Sequence, residues 1–422
     1  MKGRIALALL LCLSLILVSG QSLKAEGEIV VIESNSHYEF GRQLSFRLEA
    51  SSASGITQVI LSFRATGDAT TTVERPQFIA GPSVTVDHTY SLQGRYIKPF
   101  SRIEYWWTLS DAADHRLTTE VQTFSYDDNR FPWQSLTGEG ITISWYQGTE
   151  AFGQAALDVA IGAVPRISAD LGAGAPQPMR AFLYANLSDL EGALPPTGRE
   201  WVGGQAYPEL GTFVAAIPPD DRSLSTMKRV IPHEITHLLV YQVTGGALGY
   251  VPSWLNEGLA TLSEELPDPE AAIVLETALS QDNLLPLETL CGPFPLDTSK
   301  ARLSYAQSAS VVGFIRDHYA RQGLAHLITA YADGASCQGG VERALGVSLE
   351  GLETQWRASL QPRNKWLIFL EKAGPWLGLW GGSCLMTLLF LETIPLSIWR
   401  RRRETQNESP TDEAGAPSDL PG

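Results

Sequence analysis

The chain has 422 residues, long enough for more than one domain. With 44% hydrophobic residues, 18% charged residues and 11 tryptophans, it has the composition of a folded protein, which excludes a chain dominated by low-complexity disorder. The net charge is −15, and the acid excess lies between residues 26 and 399, which argues against nucleic acid as a partner.

Residues 1–25 read as a secretory signal peptide. Lys2 and Arg4 precede an apolar run from Ile5 to Val18, and small residues follow it. Val18-Ser19-Gly20 and Leu23-Lys24-Ala25 are the two candidate ends, and an uncleaved anchor is the alternative to a signal. No cysteine follows the run, so a lipoprotein anchor is not expected.

Residues 27–133 predict an all-β sandwich. Glu28 to Glu33 is apolar and β-branched, and Gln43 to Glu49 alternates strictly. Gln58 to Arg64 alternates except at Ile60. Ser83 to Tyr90, Arg102 to Leu109 and Thr118 to Tyr126 complete the set, with Gly, Ser, Asp and Asn turns between them. His37, His88 and His115 are scattered, so the domain reads as a spacer or a substrate-presenting module. Asp127 to Trp133 reads as a hinge.

The pattern changes over 137–362 to that of an α+β domain. Strands are predicted at Ile141 to Trp145, Met179 to Tyr184 and Gly211 to Ile217. Helical spacing covers Thr149 to Leu171, with Pro165 as a point of kink or split. Further helices are predicted over Leu224–Val243, Ser253–Leu266, Ala271–Ser280, Tyr305–Gln322 and Gly323–Asp333.

Near the C-terminus, 373–399 predicts one transmembrane helix. Gly374 to Leu391 carries no charge, and Arg400 to Arg403 mark the cytoplasmic side. The tail, 400–422, is polar and rich in Pro, Ser and Asp, and predicts disorder. The chain thus reads as a single-pass protein of the cell membrane with its folded part extracytoplasmic. Cys12 falls in the signal and Cys384 in the span. Cys291 and Cys337 remain and invite one disulfide, with two free thiols as the alternative.

The chemistry concentrates in His233-Glu234-Ile235-Thr236-His237, followed by Trp254-Leu255-Asn256-Glu257-Gly258. Residues four apart share a helix face, so His233 and His237 can present two imidazoles to one ion with Glu234 beside them. A catalytic zinc takes three protein ligands and leaves a position for water. Glu257 is the candidate third ligand: Gly245, Gly246 and Gly249 break the chain, and Pro252 and Ser253 sit where a second helix starts. Pro232 either kinks the first helix or marks where a second helical piece begins.

These segments resemble the gluzincin peptidases, the thermolysin and aminopeptidase N-like superfamily, and in particular its peptidase MA-like domain. The resemblance spans about residues 137–360. It implies a zincin-type fold, one Zn2+ held by His233, His237 and Glu257, Glu234 as general base, and a peptide or protein substrate. Tyr305, read as opening a helix, matches the family's oxyanion donor more loosely; His318 and His326 are rival candidates. Glu264 is a candidate to orient a histidine ligand. The amine-recognition segment Gly-x-Met-Glu-Asn of the aminopeptidases is absent, and Gly203 to Ala206 with the strand to Ile217 occupies its place. Endopeptidase action is therefore as consistent as aminopeptidase action. The alternative reading is a surface binding or scaffolding protein on a degenerate peptidase fold, against which the intact ligands and Glu234 count.

Overall fold

The structure is a computed structural model. It describes residues 28–195 and 203–360, together with scattered positions between 373 and 387. The expected signal 1–25, the tail 400–422 and most of the expected span 373–399 lie outside the described residues. The described positions from 373 to 387 are helical, and Trp376, Leu379 and Trp380 are exposed there. Among the described residues, no helix is long and apolar enough to cross a membrane.

Alternation along the N-terminal region produces one antiparallel sheet of seven strands. They are β1 (Val30–Glu39), β2 (Gln43–Ala65), β3 (Thr72–Glu74), β4 (Gly81–Ser91), β5 (Ser101–Asp111), β6 (Arg116–Thr118) and β7 (Gln122–Tyr126). The two alternating runs expected as separate strands form a single strand, β2, of 23 residues. Its first half pairs with β1 and β4 and its second half with β3 and β5. Register shifts between Ser51 and Ile56, where Gly55 supplies a φ of 77°. Such a bulge bends a strand, so one strand serves both halves of the sheet. The halves then face each other: Trp107 Nε1 on β5 donates to Ser34 Oγ on β1 at 3.1 Å, and Tyr38 stacks on Phe124 at 5.5 Å.

The second sheet comprises β8 (Gln134–Gly138), β9 (Ile141–Trp145), β10 (Met179–Tyr184), β11 (Gly204–Tyr207) and β12 (Thr212–Ala216) in the order β11-β12-β10-β9-β8. The inner strands β9, β10 and β12 are parallel, and both edge strands run antiparallel to their neighbours. The helices are α1 (Glu150–Leu171), α2 (Leu187–Glu191), α3 (Ser223–Val243), α4 (Ser253–Ser263), α5 (Pro269–Ser280), α6 (Thr298–Ala332), α7 (Cys337–Leu345) and α8 (Leu349–Leu360). Residues up to Thr354 form one unit, which holds both sheets; Gln355 begins a second.

Three expectations are corrected. Of the two readings of Pro165, the split is overturned: α1 runs through it without a break. The two helices read from Tyr305 to Asp333 are one helix of 35 residues that already starts at Thr298. The segment Asp127 to Trp133, read as a hinge, is anchored: Asn129 and Arg130 are exposed, but Asp128 is fully buried and receives Arg130 Nε at 2.8 Å and the Tyr184 hydroxyl at 2.8 Å. Trp133 Nε1 donates to its carbonyl, and Phe131 stacks on Tyr146. A buried carboxylate persists only with such partners, and together they lock the two sheets into one core. Cys291 and Cys337 are bonded, with Cα atoms 6.0 Å apart and a separation of 46 positions in sequence. Closing a loop of that length is worth about 4 kcal/mol in the chain-entropy model.

Candidate metal centre

Helix α3 runs beneath the sheet with Met227, Ile231, Ile235 and Leu239 buried. Its remaining face carries His233, Glu234 and His237 into a cleft of about 680 Å³. The imidazole centroids are 5.1 Å apart, as one helical turn requires. Pro232 lies inside the continuous helix. It has no N–H for the Lys228 carbonyl, and the Glu265 N–H takes that place at 2.9 Å. The missing donor thus becomes the docking point for the chain leaving α4, and it brings Glu264 against His233.

Each residue of the second segment has a distinct place. Trp254 and Leu255 are buried anchors of α4. Asn256 and Glu257 face α3. Gly258 lets α4 lie directly on α6: a Cβ there would stand 2.6 Å from the Ser308 carbonyl oxygen and 2.6 Å from Val312 Cγ2. The first turn of α4 is held by the Ser253 N–H, which donates to the Cys291 carbonyl at 3.2 Å.

The three candidate ligands converge. Glu257 Oε2 lies 3.5 Å from His233 Nε2 and 3.6 Å from His237 Nε2. The three ligand atoms are within 4.8 Å of one another and can hold one metal ion. The other imidazole nitrogens are engaged: His233 Nδ1 donates to Glu264 Oε1 at 3.2 Å, and His237 Nδ1 to Asn256 Oδ1 at 3.1 Å. A proton held on each Nδ1 leaves the Nε2 lone pair for a cation, the arrangement found around metal-bound histidine. Two imidazole nitrogens and a carboxylate oxygen are donors that zinc accepts.

Electrostatics follow from burial and crowding. Burial pulls both imidazoles down, and at His237 it prevails. At His233, Glu257 and Glu264 outweigh it and hold the pKa up at about 10. The atoms that share this proton are those able to bind a cation, so the two compete. Burial pushes Glu234 up to about 7, opposed by His233 and reinforced by Glu257 and Glu264. A carboxyl group near neutrality is suited to proton transfer at physiological pH.

Residues 159–362 match the family model of the peptidase MA superfamily. The matched stretch takes in α3, α4 and α6, and with them the whole histidine–glutamate cluster. No curated protein matches the chain. The match covers a little under half of the chain, and the cluster lies inside it.

The other candidates separate clearly. Tyr305 lines the cleft, its ring 6.3 Å from that of His233 and packed edge-on against Phe294. It stands two turns inside α6 rather than at a helix start. His318 donates to the Phe314 carbonyl and lies on that ring; neither it nor the exposed His326 lines the cleft. The segment from Gly203 to Ile217 is not one strand. It folds back through a 3₁₀ turn, Pro208–Leu210, so that β12 is paired on both sides and β11 is the edge along the cleft. Two residues carry more than sequence reading assigned them. Asn256 fixes His237, and its position beside Glu257 in the motif was the available signal. Gly204 lies against Glu234: a Cβ at Gly204 would stand 2.4 Å from Glu234 Oε1. Nothing in the sequence pairs those two.

Proposed function

We propose that the protein is a zinc metallopeptidase, with His233, His237 and Glu257 as ligands and Glu234 as general base. The observation that carries the reading is the convergence of three ligand atoms whose histidines are each fixed from behind by Glu264 and Asn256. Zinc, when bound, supplies a Lewis acid that polarises a scissile carbonyl and makes water a nucleophile near neutral pH. Glu234 takes the proton of the attacking water on its carboxylate and passes it to the leaving amine. The Tyr305 phenol donates a hydrogen bond to the developing oxyanion, a contribution of about 3 kcal/mol for a donor of this type. The edge of β11 that no described strand pairs offers main-chain groups along the cleft to an extended peptide.

We also propose that the site works outside the cytoplasm, on a membrane tether. The signal-like start, the apolar stretch before Arg400 to Arg403 and the Cys291–Cys337 disulfide support this location. Chelator-sensitive cleavage of a peptide library by the purified chain, with about one zinc per chain, is the expected result. Glu234→Gln should keep the zinc and lose at least about 100-fold in kcat. A wild-type chain without metal, or a Glu234→Gln variant with undiminished turnover, ends the proposal and leaves a degenerate binding protein as the reading.

A further inference from the structure

The strand that borders the cleft is poorly supported by its own sheet. β11 has four residues and, among the described residues, a single hydrogen-bonded strand neighbour, β12. A short edge strand with one partner is among the first elements to open. Yet Gly204, Gln205 and Ala206 line the cleft, and Gly204 lies against Glu234.

The support comes from the N-terminal β region, from the loop joining β4 to β5. At its middle, the Tyr96 hydroxyl lies 3.1 Å from that of Tyr207, the buried last residue of β11. Two residues on, Lys98 Nζ pairs with Glu209 in the 3₁₀ turn that links β11 to β12. At its end, the Phe100 carbonyl accepts from Arg180 Nη2 at 2.7 Å, and the Phe100 ring stacks on Phe182 of β10 at 3.6 Å. Phe100 holds a φ of 63°, a left-handed conformation that a bulky side chain adopts only when its surroundings impose it. Three successive contacts thus address β11, its turn and β10 in order.

The nature of these contacts points to placement rather than to bulk stability. Lys98 and Glu209 are 49% and 38% exposed, and an ion pair so exposed adds little to global stability. Burial and the neighbouring Tyr96 raise the Tyr207 phenol well above the ordinary range, so the phenol pair stays protonated and hydrogen-bonded at neutral pH. We infer that Tyr96 and Lys98 are positioning residues by which the N-terminal β region braces the cleft-edge strand β11. The region is then a working part of the cleft, neither a spacer nor a separate presenting module. Its consequence for peptide binding rests on the peptidase reading; the brace itself does not.

The test uses the full chain and two readouts. The first, hydrogen exchange of amides 204–210, does not depend on activity. Lys98→Glu and Tyr96→Phe should each lower protection there roughly fivefold while α1 stays unchanged. The charge swap Lys98→Glu with Glu209→Lys should restore it. The second is kinetic: KM for a peptide rises severalfold, while kcat and zinc content hold. Unchanged protection at 204–210 in both single variants overturns the inference, as does loosening spread evenly over the chain or a swap that fails to restore protection. Local loosening in a protein that cleaves no peptide supports the brace and retires the peptidase reading instead.

Discussion

Gly204→Ala adds one methyl group to the cleft wall and removes no polar group. Its Cβ would stand 2.4 Å from Glu234 Oε1, 3.0 Å from Cδ and 3.2 Å from Cγ. Ordinary contact requires about 3.5 Å, so the carboxylate must retreat by about 1 Å. The obstacle is the far end of a flexible side chain, so the fold bears it easily. Replacing glycine in extended backbone can even stabilise by about 0.4–1 kcal/mol through the unfolded chain. Catalysis should not bear it. A displacement of about 1 Å in a reacting group can lower turnover roughly 100-fold, or about 2.7 kcal/mol in the barrier. Gly203→Ala is the internal control, because a Cβ there meets nothing within 4 Å. The assay is hydrolysis of a fluorogenic peptide, with zinc content and thermal unfolding measured in parallel. A Gly204→Ala variant with wild-type kcat would refute Glu234 as the base at that position. An equal loss in Gly203→Ala would refute the steric argument.

Asn256→Ala and Glu264→Ala should each weaken zinc binding by about 10- to 100-fold in competition with a chelator, since each releases one imidazole from its fixed orientation; affinity within a factor of two of wild type would dismiss both as bystanders. Gly258→Ala should destabilise by about 1–3 kcal/mol in urea, because the added methyl meets the α6 backbone at Ser308; an unchanged midpoint would mean that α4 and α6 are not packed so closely. Acid should unfold the N-terminal region through Asp111. Burial alone would raise its pKa, but the Ser52 hydroxyl, His115 Nδ1 and the N–H groups of His115 and Ala113 hold it at about 2. A depressed carboxylate contributes its full stability above about pH 4 and loses it as pH falls toward 2. Tryptophan fluorescence should follow that window, and Asp111→Asn should flatten it; an Asp111→Asn titration identical to wild type would rule the group out.

Much of the helical half was legible because helical period is local. The strands at Ile141 and Met179 and the bounds of α1 and α3 fall within a residue or two of the pattern read from apolar spacing. The β region was legible as strands but not as a topology. Alternation shows where a strand alternates, not that Gln43 and Ala65 end the same one, since the bulge at Gly55 looks like a turn in one dimension. Asp127 to Trp133 misled for a related reason. Nothing local marks which of its polar residues is buried, and only Arg130 and Tyr184 closing on Asp128 reveal it.

By itself the sequence placed His233, Glu234 and His237 on one helix face and put Glu257 on a second helix, because a 3.6-residue period needs no neighbour to be read. It also left the order of the two regions plain. Tertiary structure alone decided that Glu264, 31 residues on, reaches His233 Nδ1, and that Tyr96 meets Tyr207 across 111 residues of chain. It decided as well that β11 rather than β12 faces the cleft. Such contacts depend on how packed elements meet, on a carbonyl freed by Pro232 and on a glycine that lets a carboxylate approach, and no local pattern encodes those meetings.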